Sequence, residues 1–325
     1  MARATDASLL DLAPPEADLL VGLSLDRIRG TDLGQFLLLQ VKPDSPQFRM
    51  FVQKAGFDPL HDVDDILLAA PAKNPKSRGL LLARGTFDAT RFAELAAEPD
   101  AQVASYRGVQ IVTRKGELEE PLATAFLSSS LIAAGDPESV RALIERRGRS
   151  QHLQPRLAVK AADMALANDF WVVLSASPAE FSGGSSGFGS GPMADLVQSI
   201  EHASAGVKFG TDLLVSADIA AHTPKDAEGL TAALRLFIGL AASSQRDAKQ
   251  AGAILEKLKL HAEGNTVKLW LAVPQAEIAS SIRAALEAAA HPNPAEQPPP
   301  PPEPTGVTIY SSPKDMGVVT LPPVK

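Results

Sequence analysis

The chain has 325 residues, 45% apolar, 21% charged and 5% aromatic, and 31 Lys and Arg against 38 Asp and Glu give a formal net charge of -7. These are globular proportions over a length of roughly two domains, which excludes wholesale disorder. The acidic balance, the scarcity of aromatic rings and the absence of cysteine exclude nucleic-acid partners, disulfide scaffolds, thiolate metal sites and Cys nucleophiles.

No secretory leader is visible near Met1, because a leader needs an apolar core of about 7–15 residues. No run reaches the roughly 18 apolar residues of a membrane span. Leu234 to Ala242 is the most apolar helical stretch, and Arg235 and Gly239 interrupt it. No integral membrane segment is expected, and cytoplasmic residence is the default.

Residues 17–25 read as a strand between Pro14-Pro15 and Asp26. Helical patterns follow at 31–41 and 45–55, the second with Phe48, Phe51 and Val52 on one stripe and Gly56 as its stop. Strands are expected at 64–70 and 79–86, then a helix from Asp88 to Ala97 with Phe92 and Leu95 facing inward. Residues 101–106 and 109–114 form a hairpin around Arg107-Gly108, and 123–128 with 131–135 form another. Asp136-Pro137-Glu138 opens a helix with a cap residue and a proline at its first position. A further helix covers about 154–167.

The second half repeats this plan loosely. Residues 170–174 are a strand, followed by a long loop and a helix at about 192–202. Residues 207–220 read as a bent hairpin around Gly210-Thr211-Asp212. Thr223-Pro224-Lys225-Asp226 starts a long helix, and another is expected at about 247–259. Residues 260–263 and 267–273 pair across Gly264-Asn265, and Pro274 opens a last helix to about Ala290.

The order strand, turn, strand, helix at 123–146 returns at 258–287, and that of 78–97 at 212–238, without matching residues. The expected fold is therefore α+β: two duplicated units of antiparallel sheet, at 10–150 and 151–290, with helices packed on one face. Residues 1–9 form an N-terminal extension. Residues 291–325 are a Pro-rich linker and tail, with Pro298 to Pro302 as a polyproline spacer. Two β-prone pieces, Val307 to Tyr310 and Val318 to Leu321, make the 305–325 segment a candidate strand for an unknown protein partner.

The opening LLDLAPPEADLLVGLSLDRIRGTDLGQFLL (9–38), Gly56-Phe57-Asp58-Pro59, and Arg84-Gly85-Thr86-Phe87 resemble an uncharacterised family of usually exported bacterial two-repeat α+β proteins of unknown function. The resemblance covers most of 9–290. It implies an exported, periplasmic setting and brings no catalytic residues with it.

Candidate chemistry is sparse. Ser182 to Gly191 is a Gly/Ser loop containing Gly183-x-Ser185-x-Gly187. A nucleophile elbow places its Ser on the tight turn joining strand to helix, and this loop is too long for that. A phosphate loop would need Lys-Ser/Thr where Pro192-Met193 stands. Ser185 with His202 is the best hydrolase pair. Asp62, Asp64 and Asp65 offer oxygen ligands for a hard cation but lack the rest of a calcium loop. The histidines show no zinc spacing, so no metal and no cofactor is expected. Arg141, Arg146 and Arg147 form a basic cluster suited either to an anionic partner or to the negative end of a helix. The leading expectation is a non-catalytic binding or assembly protein. An apolar-ligand (lipid or acyl-chain) carrier is the alternative, and a serine hydrolase the second alternative.

Overall fold

A computed structural model describes residues 9–40, 45–46, 48–49, 52, 57–72, 79–97, 101–115, 121–147, 152–181, 197–243 and 256–290. Met1–Ile278 form one compact unit and Ala279–Lys325 a second. The expected helix over 45–55 lies largely outside the described residues, and so do the 182–191 loop and the 305–325 tail.

The strands are β1 (Leu19–Ser24), β2 (Val63–Ala70), β3 (Leu80–Gly85), β4 (Gln102–Tyr106), β5 (Val109–Lys115), β6 (Pro121–Ser128), β7 (Leu131–Gly135), β8 (Phe170–Leu174), β9 (Ile200–Lys208), β10 (Asp212–Ala221), β11 (Lys259–Glu263) and β12 (Thr266–Pro274). The described helices are α1 (Leu25–Arg29), α2 (Asp32–Gln40), α3 (Ala89–Ala96), α4 (Pro137–Arg146), α5 (Pro155–Ala167), α6 (Pro178–Phe181), α7 (Pro224–Ser243) and α8 (Gln275–Ala290). The α+β class with antiparallel sheet is as the sequence implies.

Among the described residues all strands join one 12-stranded sheet in the order β11-β12-β10-β9-β8-β1-β2-β3-β7-β6-β5-β4. The two halves meet where β1 pairs with β8, Val21 opposite Val172 and Gly22 opposite Trp171. The strands of the two expected units thus share one sheet. The reason lies in β1, whose free edge pairs β2 on one side and β8 on the other; a paired edge leaves no backbone group unsatisfied.

Helices cover both faces, where the sequence suggested one. Side chains alternate across a strand, so Leu20, Leu67, Leu82 and Val173 share a face. They pack with Val140, Leu143 and Ile144 of α4 and with Leu157, Ala161 and Met164 of α5. The opposite face carries Ile219, Val267 and Leu269 against Leu230, Leu234 and Ile238 of α7. It also carries Val112 and Phe126 against Phe92 of α3. Among the described residues the strands lack the strict hydrophobic-in, polar-out alternation of a one-sided sheet: Leu19, Val21, Leu23 alternate with Leu20, Gly22. Both faces therefore need cover.

Two local differences follow from the same pairing. The expected helix over about 192–202 gives way from Ile200 to β9, whose Ser204 and Gly206 are buried toward α5 while Ala203, Ala205 and Val207 turn to the other face. That period of two decides for strand. Similarly, Lys259, expected at the end of a helix, opens β11 opposite Trp270.

The described residues of 9–38, 56–59 and 84–87 contribute to packing. Leu9, Leu10, Ala13 and Ala17 sink into the main core. Phe57 meets Phe87 edge-on at 5.6 Å between ring centroids, and a Cβ on Gly85 would stand 1.8 Å from the Asp62 carbonyl oxygen.

Candidate functional site

The candidates from the sequence other than Ser185 each have a definite place. Ser185 lies outside the described residues. His202 is exposed on β9, opposite Ala220. Asp62 accepts the backbone N–H of Asp58 at 2.7 Å, inside a turn. Asp64 lies 3.0 Å from Arg29 Nη2. Asp65 is buried, opposite Ser24 and Arg84 in register. Asp64 is the extra residue of a bulge between Val63 and Asp65, and it is half-exposed and held by Arg29 while Asp65 is buried. Among the described residues no group of three His, Asp or Glu side chains gathers to hold an ion.

The arginines of α4 also diverge. Arg141 and Arg147 are exposed and Arg146 is half-buried. Five residues along a helix turn the side chain by about 140°, which separates Arg141 from Arg146. Burial pushes the Arg146 guanidinium below its ordinary value, and the nearby Glu16 carboxylate opposes that shift.

The feature that stands out is apolar. On the α7 side of the sheet, a register row runs Leu81, Leu68, Val21, Val172, Ala205, Ala217, Leu269 across β3, β2, β1, β8, β9, β10 and β12. None of these residues is fully buried, and Ala205 is exposed. The adjacent row, Ile66, Leu23, Phe170, Val207, Val215, Leu271, is likewise apolar and half-buried. On the other face, the interleaved Leu20, Leu67 and Val173 are buried beneath helices. Sequence reasoning missed this surface because it depends on which strands become neighbours.

The flank of this surface is α7. Ala227, Leu230, Leu234 and Ile238 face the sheet, while Leu236, Phe237 and Leu240 are 62%, 45% and 56% exposed. Between α7 and β11 lies a pocket of about 300 Å³ lined by Arg235, Ile238, Gly239, Leu258 and Leu260. Arg235 Nη2 donates to the Leu260 carbonyl at 2.7 Å. Gly239 sits inside the helix, where glycine costs about 1 kcal/mol relative to Ala. Nothing among the described residues comes within 4 Å of a Cβ placed there. No crowding demands the glycine, which lines the pocket.

No protein-family model and no curated protein matches the sequence. A solved structure described as crystal form I of TP0453 is similar, with a TM-score of 0.50 at 11% identity over 85% of this chain and 96% of that chain. That likeness concerns the fold alone. No helix among the described residues is long and apolar enough to cross a membrane.

Proposed function

We propose that this is a non-catalytic binding protein whose working surface is the apolar side of the sheet beside α7, and that its ligand is an apolar chain of the acyl type. The observation that carries the reading is the partly buried apolar floor running from Leu81 to Leu269, packed at one end against Leu25 and Phe87, at the other against α7, and exposed at Ala205. Sites for small apolar ligands are concave and largely hydrophobic, with a few polar groups that set orientation. The floor supplies the hydrophobic part, and the Arg235 pocket on the β11 side of α7 supplies the polar group. The guanidinium offers a charged donor to a carboxylate or phosphate head; its Nη2 donates to the Leu260 carbonyl, and among the described residues no other partner engages it.

The chain reads as two copies of one unit. From the β1–β8 seam the order is β1-β2-β3-β7-β6 in one direction and β8-β9-β10-β12-β11 in the other. Each is a first, second and third strand followed by a closing hairpin, and β4-β5 extends the first half alone. This supports the duplication.

Native mass spectrometry of the purified chain tests the ligand, with displacement of a fluorescent fatty-acid analogue as a second measure. The expected result is bound lipid-sized mass and saturable displacement. A chain that carries no such mass and leaves the analogue in water overturns the reading.

A further inference from the structure

Among the described residues the sheet has two edges, β11 and β4, and they are finished differently. A bare edge offers unpaired N–H and C=O groups to any passing strand, and proteins blunt it with charges, prolines or covering groups. β11 is blunted. It carries Lys259 and Glu263, and Lys268 beside it is ion-paired with Glu263. Its hairpin closes Glu263 on Thr266 across a two-residue turn. That makes Leu260 and Ala262 the residues whose backbone points outward, and Arg235 takes the Leu260 carbonyl.

β4 reads Gln102-Val103-Ala104-Ser105-Tyr106, with no charge and no proline. Its hairpin closes Tyr106 on Val109 across Arg107-Gly108, both with positive φ, the turn type that fits a tight hairpin. Tyr106, Ala104 and Gln102 are therefore bonded to β5, and Val103 and Ser105 direct their N–H and C=O groups away from it. Gln102 to Ser105 are exposed, Val103 at 49%. Among the described residues no backbone group bonds the outward side of either. The tip is held in place, since the Tyr106 hydroxyl donates to Glu145 of α4.

We infer that β4 is a docking edge for a second copy of this chain, pairing antiparallel with its own counterpart about Ala104. In that register, Val103 of each copy exchanges both backbone hydrogen bonds with Ser105 of the other. Ala104 faces Ala104, and Gln102 faces Tyr106. Two copies of a chain with a net charge of -7 repel each other at most surfaces. This edge brings no charged residue face to face in that register, and its two outward-facing residues satisfy each other's backbone groups when the strand meets its own copy. The inference stands independently of the apolar ligand, because the edge lies at the far end of the sheet from the Arg235 pocket. The contact is small, so the association is weak and depends on concentration.

Sedimentation velocity of the full chain across a wide concentration range tests it. Wild type moves from monomer toward dimer as concentration rises. Ser105→Pro deletes one outward N–H and leaves the β5 ladder untouched, since proline is tolerated where an edge residue's N–H faces solvent. It stays monomeric with an unchanged melting midpoint. Hydrogen exchange of the wild type needs no variant: the Val103 and Ser105 amides gain protection as concentration rises. A wild type monomeric throughout, a Ser105→Pro chain that associates as well as wild type, or protection that is the same at every concentration each overturns the self-pairing.

Discussion

Gly22 of β1 lies directly under the indole of Trp171 on β8: a Cβ on Gly22 would stand 2.1 Å from Trp171 Cε2. The two residues face each other across the strand pair that joins the halves of the sheet, and Trp171 is 1% exposed. A methyl group there has no room, so the indole must leave its place in the main core. Overpacking costs about 1–3 kcal/mol in general, and Gly22→Ala is expected at the top of that range because the displaced ring is large and central. Chemical denaturation checks it. A variant as stable as wild type would mean that the indole repacks freely.

Trp171 Nε1 is buried and has no hydrogen-bond partner among the described residues. An orphaned buried donor weakens the fold by about 1–3 kcal/mol. Trp171→Phe removes that donor along with some packing, and the two effects oppose each other. The expected loss is small against the roughly 3–5 kcal/mol for Trp171→Ala. The difference between the two variants, read in the same denaturation series, separates packing from the orphaned N–H.

A second tie between the halves is Arg27 of α1. Its Nη2 donates to the carbonyls of Ala165 at 3.0 Å and Asn168 at 2.6 Å, at the C-terminal end of α5. Its Nε lies 3.2 Å from the buried Asp169 carboxylate, which also accepts the Phe209 N–H. Cations suit helix C-termini. Arg27→Met keeps much of the stem and removes every donor, at an expected cost of about 1–3 kcal/mol for the stranded partners. Arg27→Lys restores the charge without the fork and recovers only part of the loss. Equal stability of the Lys variant and wild type would show that charge alone suffices.

The exposed pair Glu263 and Lys268 predicts a pH signature. The Lys268 hydrogen bond, and then its charge, hold the Glu263 carboxyl below its usual range. Reciprocally, Glu263 holds the Lys268 ammonium above its usual range. A depressed carboxyl stabilises above its unfolded pKa, and the benefit fades as pH falls through the folded value. A raised ammonium stabilises below its unfolded pKa, and the benefit fades as pH climbs through the folded value. The contribution is flat between those limits. Exposed pairs are weak and screened by salt, so Lys268→Ala is expected to lower the melting midpoint slightly at neutral pH and low salt. It should have no effect in acid or high salt. A salt-independent loss would place the effect in packing instead.

Much of the fold was legible because its signals are local. Arg107-Gly108 and Gly264-Asn265 mark hairpins by turn chemistry alone. Asp136 caps α4 as its sequence implies, accepting the Ser139 N–H at 2.8 Å. What was not legible is long-range. The period-two pattern of Ile200 to Lys208 is diluted by Glu201, His202 and small residues, so only pairing with β8 and β10 makes it a strand. The β1–β8 seam, and with it the apolar floor, joins residues about 150 positions apart. No local pattern encodes that contact. The Asp62, Asp64, Asp65 run looks convergent in sequence, but Asp62 is taken by the Asp58 N–H, Asp64 by Arg29 at the surface, and Asp65 is buried.

Gly239 offers the sharpest test of the binding surface. It stands inside α7 on the wall of the Arg235 pocket, with open space where a side chain would grow. Gly239→Ala should stabilise the chain by up to about 1 kcal/mol, the helix-propensity gain, with nothing to clash against. Gly239→Leu gains most of that propensity and also fills the pocket. It is therefore expected to raise the melting midpoint while abolishing displacement of the fatty-acid analogue. Stability and binding move in opposite directions, a combination that damage to the fold cannot mimic. A Gly239→Leu chain that binds the analogue as wild type does would remove this pocket from the ligand site and leave the strand floor from Leu81 to Leu269 to carry it alone.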